Sequence, residues 1–242
     1  MCELTQNAGT VTAQLLGPLL TGDPHTPRLV VYAGASRTEL STASLANWSA
    51  KVAGLLVDEL GTAPGDLIAV RLGAGWQTAP ILLGCWWAGA VVTDADDPGA
   101  AAAFVADGQD ALSDEVFVVS GHPLGAPSTT VLAHQRDFTT SVLGQADTFG
   151  AGPAGQDSAP AVRCGENELS VGEVVRTARA SGERFGAQAR VLSDALWTLP
   201  EPLVPLLLGA LSADGSLVQL VGDGTPSAAH LAEVEKCTVR WA

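Results

Sequence analysis

The chain has 242 residues, with 26 acidic and 12 basic side chains and a formal net charge of −14; hydrophobic residues make up 47% and charged ones 16%. That apolar content excludes disorder as the general state, and the length suits one large α/β domain or two small lobes. The negative balance excludes nucleic acid as a partner, because phosphate binding needs a basic surface.

The first residues, Met1 to Thr5, lack the basic segment ahead of an apolar one that a secretory signal needs. The longest apolar stretch, Ala79 to Val92, is too short to span a bilayer and reads as a buried helix. Cys2, Cys85, Cys164 and Cys237 are scattered without C-x-x-C spacing. The expectation is a cytoplasmic protein with free thiols and no membrane partner.

In chain order, residues 1–27 form an N-terminal extension of mixed character. Arg28 to Tyr32 is a β-branched run that reads as a strand. Ser41 or Thr42 caps a helix whose apolar face is Leu45, Trp48, Val52, Leu55 and Leu56. Gly61 ends that helix, and Ala63-Pro64-Gly65-Asp66 is a turn. Leu67 to Leu72 is a buried-type strand, Trp76 to Trp87 a helix, and Ala90 to Thr93 a short strand. A helix is expected over Gly99 to Ala106 and a strand over Val116 to Val119. Gly, Pro and Ser make 121–130 and 150–158 loops, with a helix between them near His134 to Thr148. Strands then alternate with helices: strand 160–163, helix 171–185, strand 189–192, helix 202–211, strand 217–221, helix 227–235 and strand 238–241. This alternation implies βαβ units and a mostly parallel sheet. The division expected is a first α/β lobe at 28–120, a loop-rich connector at 121–158 and a second α/β lobe at 159–242.

Few motifs carry chemistry. Gly150 to Gly155 spells G-x-G-x-x-G, but no strand leads in and no helix starts within it, so it reads as a loop. Asp94-Ala95-Asp96-Asp97 has the donors to hold a hard cation. It reads more simply as carboxylates capping a helix that starts before Pro98. The four histidines lack ligand spacing, and H-E-x-x-H, G-x-S-x-G and Walker A patterns are all missing. His122-Pro123 reads as a solvated turn, and Asn47-Trp48-Ser49 lies within an expected helix. No catalytic residue, metal ligand or cofactor is assigned.

Two stretches carry a family pattern. The first runs from Leu40-Ser41-Thr42-Ala43-Ser44-Leu45 through Pro64-Gly65-Asp66-Leu67-Ile68-Ala69-Val70 to Ala88-Gly89-Ala90-Val91-Val92. The second covers 159–241, where Val171 to Phe185, Val191-Leu192, Leu203 to Leu211, Val218 to Val221 and Leu231 to Val239 keep a strand and helix order. Together they resemble the N-terminal domain of the adenylate-forming superfamily, which includes acyl-CoA synthetases and peptide-synthetase adenylation domains. A short AMP-binding-like family of high-GC bacteria is similar in size. The resemblance implies an α/β fold of mostly parallel βαβ layers, truncated relative to those enzymes.

It also implies a Gly/Ser/Thr-rich phosphate loop ending in Pro-Lys-Gly. At that place the chain reads Arg163-Cys164-Gly165-Glu166-Asn167-Glu168-Leu169, with one glycine, no lysine and two acids. Near Leu196-Trp197-Thr198-Leu199 the family's gating histidine is missing. The adenine-contacting, Mg²⁺-binding and ribose-binding segments and the C-terminal domain with its lysine belong, in the family, after the point where this sequence stops. The expectation is a catalytically degenerate, AMP-binding-like protein with a binding or regulatory role toward a small molecule or a protein. The alternatives are a nucleotide or acyl-adenylate binding protein, or one subunit of a split enzyme. For a ligand, the candidates are Arg163, at a strand end where it meets an anion, and Trp197, which stacks on a base or lines an apolar pocket.

Overall fold

The computed structural model describes residues 9–150, 152–153 and 156–241. Cys2 and part of the Gly150 to Gly155 motif therefore lie outside the described residues. Among the described residues, two sheets form. The five-stranded one runs β12-β10-β11-β1-β2 and the seven-stranded one β7-β6-β5-β3-β4-β8-β9. The first contains β1 (Pro27–Ala33), β2 (Ser36–Ser41), β10 (Arg190–Ser193), β11 (Ser216–Val221) and β12 (Val239–Arg240). The second contains β3 (Leu67–Arg71), β4 (Val91–Thr93), β5 (Ala102–Ala106), β6 (Val116–Val119), β7 (Gln135–Asp137), β8 (Pro160–Cys164) and β9 (Asn167–Ser170). Each sheet is parallel except for one antiparallel edge, β2 on β1 and β9 on β8.

The helices are α1 (Val11–Leu15), α2 (Gly17–Leu20), α3 (Thr42–Gly54), α4 (Thr78–Trp87), α5 (Phe138–Leu143), α6 (Val171–Phe185), α7 (Gly209–Ser212) and α8 (Ala228–Val234). π-helical turns extend α3 over Leu55–Glu59 and lead into α7 over Val204–Leu208. Local chemistry sets the starts. Ser41 accepts from Ser44 N at α3, and Asp137 from Thr140 N at α5. Ser170 and Glu173 form a reciprocal capping box at α6.

Strand alternation decides the layers. Leu29 and Val31 of β1 share one core with Ile68, Val70 and Val92 of the other sheet and with the buried faces of α3, α4 and α6. These helices thus lie between the sheets. Val30 and Tyr32 point the other way, onto Leu192, Val218, Leu220 and Leu231 of α8. Helix α4 is buried at every position, as expected for an element packed on all sides. Its Gly84 lets α3 approach: a Cβ there would lie 2.5 Å from Val52 Cβ and 2.7 Å from Ser49 O. Trp86 donates its indole N–H to Ala161 O at 2.9 Å, tying α4 to β8.

Two expectations are corrected. Residues 99–106 hold strand β5, not a helix, paired in parallel with both β3 and β6. The expected helix near 134–148 is only α5, preceded by strand β7. Each sheet also draws strands from both sides of the 121–158 connector: β1 and β2 join β10 to β12, while β8 and β9 join β3 to β6, and β7 comes from within the connector.

Candidate functional site

The β8–β9 connection spans 163–169, the segment where the family resemblance implies a phosphate loop. The strands pair through Arg163↔Glu168 and Cys164↔Asn167, so only Gly165 and Glu166 make the turn. Gly165 has φ +61, which glycine adopts at no steric cost. A phosphate loop works through a run of free backbone N–H groups and a cation. This hairpin closes within two residues. Arg163 donates from Nε to Glu168 Oε1 at 3.0 Å, and its Nη2 lies 2.9 Å from the same oxygen. The cation is therefore matched by a cross-strand carboxylate.

Trp197 follows β10 and is 4% exposed. Its Nε1 donates to Gln219 Oε1 at 3.0 Å, and Gln219 Nε2 donates to Ala195 O at 3.0 Å. The structure thus holds Arg163 and Trp197 by separate partners on different elements. The Asp94 to Asp97 carboxylates anchor loops, since no helix follows them. Asp96 accepts from Leu112 N at 2.9 Å and pairs with Arg71 at 3.2 Å, and Asp97 accepts from Gly99 N at 2.8 Å. Among the described residues no group of three or more His, Cys, Asp or Glu side chains is arranged to hold a metal. His122 Nδ1 accepts from Leu124 N at 3.1 Å and serves its own turn.

The carboxyl ends of β1, β3, β5, β6 and β11 converge on a cleft of about 290 Å³. Strand ends from both sheets meet there, the place where ligands bind in parallel α/β folds. The β3–α4 connection, Leu72-Gly73-Ala74-Gly75-Trp76-Gln77, lines one wall. Trp76 donates its indole N–H to His122 O at 3.0 Å and meets Trp48 edge-on at 5.2 Å. Gln77, the residue before α4, is 2% exposed, and neither its amide nitrogen nor its amide oxygen has a partner.

Relatives agree with this geometry in outline. A protein of Mycobacterium tuberculosis (strain ATCC 25618 / H37Rv), described as a TIGR03089 family protein, is 36% identical over 242 residues, covering 95% of this chain and 97% of its own. The chain belongs to the TIGR03089 family. No family model matches it. The anthranilate CoA ligase AuaEII, solved with anthranoyl-AMP, superposes with a TM-score of 0.76 at 12% identity over 96% of this chain. An acyl-CoA synthetase of Brucella canis does so with a TM-score of 0.74 at 17% identity over 95%. The fold is that of the N-terminal domain of adenylate-forming enzymes. The chain spans about half the length of those two structures, 49% and 46%.

A larger cleft in this TIGR03089 member, about 790 Å³, opens at the opposite, amino ends of β1, β10 and β11. Two of its three arginines, Arg28 and Arg190, already serve the fold, while Arg179 makes only a 3.4 Å contact with Gln14 Oε1. Arg28 donates from Nε to Thr42 Oγ1 at 2.8 Å, from Nη1 to Asp214 O at 2.7 Å and from Nη2 to Asp214 Oδ1 at 2.7 Å. Arg190 binds Ser216 Oγ and Glu235. We therefore weight the smaller, carboxyl-end cleft more heavily. Sequence reasoning missed Gln77. The one signal was a polar residue between a Gly-x-Gly turn after a strand and a helix that is apolar after Thr78.

Proposed function

We propose that this protein is a non-adenylating member of its fold, one that binds a ligand without activating carboxylates with ATP. The two-residue β8–β9 turn carries the reading. Without a loop of free N–H groups and with Arg163 paired to Glu168, nothing on this hairpin cradles a triphosphate. Glu166 would oppose one by about 1 kcal/mol at 4 Å in water, while the charge of Glu168 is already matched by Arg163. A cytoplasmic location belongs to the same proposal; no described helix is long and apolar enough to cross a membrane.

The test is ATP–pyrophosphate exchange with a panel of aliphatic and aromatic carboxylic acids. Exchange at background supports the proposal, and exchange above it with any acid refutes it. Arg163, near the carboxyl end of β8, and Trp197, buried four residues past β10, stay in the proposal as candidate ligand contacts, although neither lines the carboxyl-end cleft. An anionic ligand there would displace Glu168 from Arg163. If Arg163→Ala and Trp197→Phe leave every measured ligand affinity unchanged, those two assignments fail.

A further inference from the structure

We propose that the amino-end cleft is a second binding site, for a small organic anion of single charge held by the Arg179 guanidinium against an apolar wall. The inference stands apart from the hairpin reading above, since it concerns the opposite ends of the strands. The carboxyl-end cleft is the place the fold favours for a ligand, but Asp107 is the one charged side chain in its lining. The amino-end cleft is the one whose side chains point to a chemistry.

Arg179 is the anomaly. The chain has 26 acidic side chains against 12 basic ones, so a cation finds a carboxylate easily. Among the described residues, Arg28, Arg37, Arg71, Arg136, Arg163 and Arg190 each pair with one. The arginines of α6 do not. Arg184 turns onto Ser181 Oγ of its own helix at 2.8 Å. Arg179 is exposed, and its Nη2 donates only to Gln14 Oε1, at 3.4 Å. A bond of that length is weak. A guanidinium carries five N–H donors in a planar fork, so nearly all of this capacity is open to solvent. Arg176, three residues earlier, lies on the same side of the helix.

The surroundings turn a free cation into a site. Arg179 lines both the cleft of about 790 Å³ and an adjoining groove of about 630 Å³, which Arg176 and Glu183 line as well. Gln14 stands at the join and donates from Nε2 to Asp157 Oδ1 at 3.0 Å. The acids of the cleft are engaged: Asp214 by Arg28 at 2.7 Å, and Asp23 by His25 N at 2.9 Å. A planar fork of donors matches an oxyanion such as a carboxylate. The cleft has three arginines and two aspartates, and the groove adds Arg176, Asp157 and Glu183, so the local charges balance in a chain of net −14. One negative charge is accepted there, while a polyanion would face Asp157 and Glu183. Pro18, Leu19 and Pro27 supply apolar wall, which suits an anion carrying a ring or a short chain.

The experiment titrates the ¹⁵N-labelled full chain, at constant ionic strength, with benzoate, with phenyl phosphate as the doubly charged probe and with benzamide as the uncharged one. The arginine Nε–H signals are followed. We expect saturable binding of benzoate that moves the Arg179 signal, with both other probes weaker by about tenfold or more. Arg179→Gln lies on the surface, should fold as the parent does and should bind benzoate at least about tenfold more weakly. Arg184→Gln removes the same charge from the same helix outside the cleft and should bind as the parent does. The proposal is overturned if benzoate leaves the Arg179 signal unmoved up to about 10 mM, if benzamide or phenyl phosphate binds as well as benzoate, or if the two variants weaken binding equally. Pyrophosphate exchange reports on the hairpin alone, so its result leaves this one standing, and failure here leaves the non-adenylating reading untouched.

Discussion

Glu235 joins four elements, and replacing it tests the packing of the smaller sheet. Its carboxylate accepts from Tyr32 Oη on β1 at 2.5 Å, from Arg37 Nε on β2 at 2.7 Å and from Arg190 Nη2 on β10, just past the end of α8. Burial alone raises its pKa, but these three donors outweigh burial and bring it from 4.5 down to about 2. A depressed carboxyl pKa adds stability that is present above the unfolded value and is lost as pH falls through the folded one. At about 1.4 kcal/mol per pH unit, the fall from 4.5 to about 2 corresponds to at most about 3.5 kcal/mol. Glu235→Gln is nearly isosteric with the protonated acid, so the gap between parent and variant should follow ionisation. The loss stays below that of a fully buried pair because Arg37 is 39% exposed and keeps Glu39 at 2.6 Å. Urea unfolding followed by tryptophan fluorescence should give a gap of about 3 kcal/mol at pH 7, narrowing from about pH 4.5 and closing near pH 2. A gap of zero at pH 7, or one that does not change with pH, would refute the reasoning.

Three further outcomes follow from packing. Gly84→Ala forces a methyl against Val52 and Ser49 where α3 crosses α4 and should cost about 1–3 kcal/mol; a change under about 0.5 kcal/mol in urea unfolding would show that the helices yield. Burial pushes the Cys85 thiol far up, so a thiol reagent should reach it only on unfolding, after the partly exposed Cys164 and Cys237; labelling of native Cys85 at their rate would contradict the core assignment. Trp197→Phe leaves Gln219 Oε1 without its donor and should cost about 1–3 kcal/mol in thermal unfolding, and an unchanged midpoint would mean that the pair carries little.

The layers were legible where apolar period met a turn signal. Ser41 caps α3, the buried run at 67–71 is a strand, and 171–185 is the α6 helix. Residues 99–106 misled because an alanine-rich run has helix propensity, and only the slot between β3 and β6 makes it a strand. The edge strands β2 and β9 were hidden by their polar residues, half of which face solvent. That 163–169 lacks phosphate-loop composition could be read directly, but the two-residue turn there needed the pairing of Cys164 with Asn167. Gln77 was not legible as a site residue. A glutamine ahead of a helix reads as a solvated cap, and its burial arises only because strands distant in sequence, β1, β3, β5, β6 and β11, end around it.

The most direct test of the central claim, that the β8–β9 hairpin has replaced a phosphate site, is thermal unfolding with and without Mg²⁺·ATP. A ligand held at 100 times its Kd stabilises by about 2.7 kcal/mol, a rise of about 5–10 °C for a domain of this size. The account predicts an unchanged midpoint in millimolar Mg²⁺·ATP. A saturable rise of that size would contradict it.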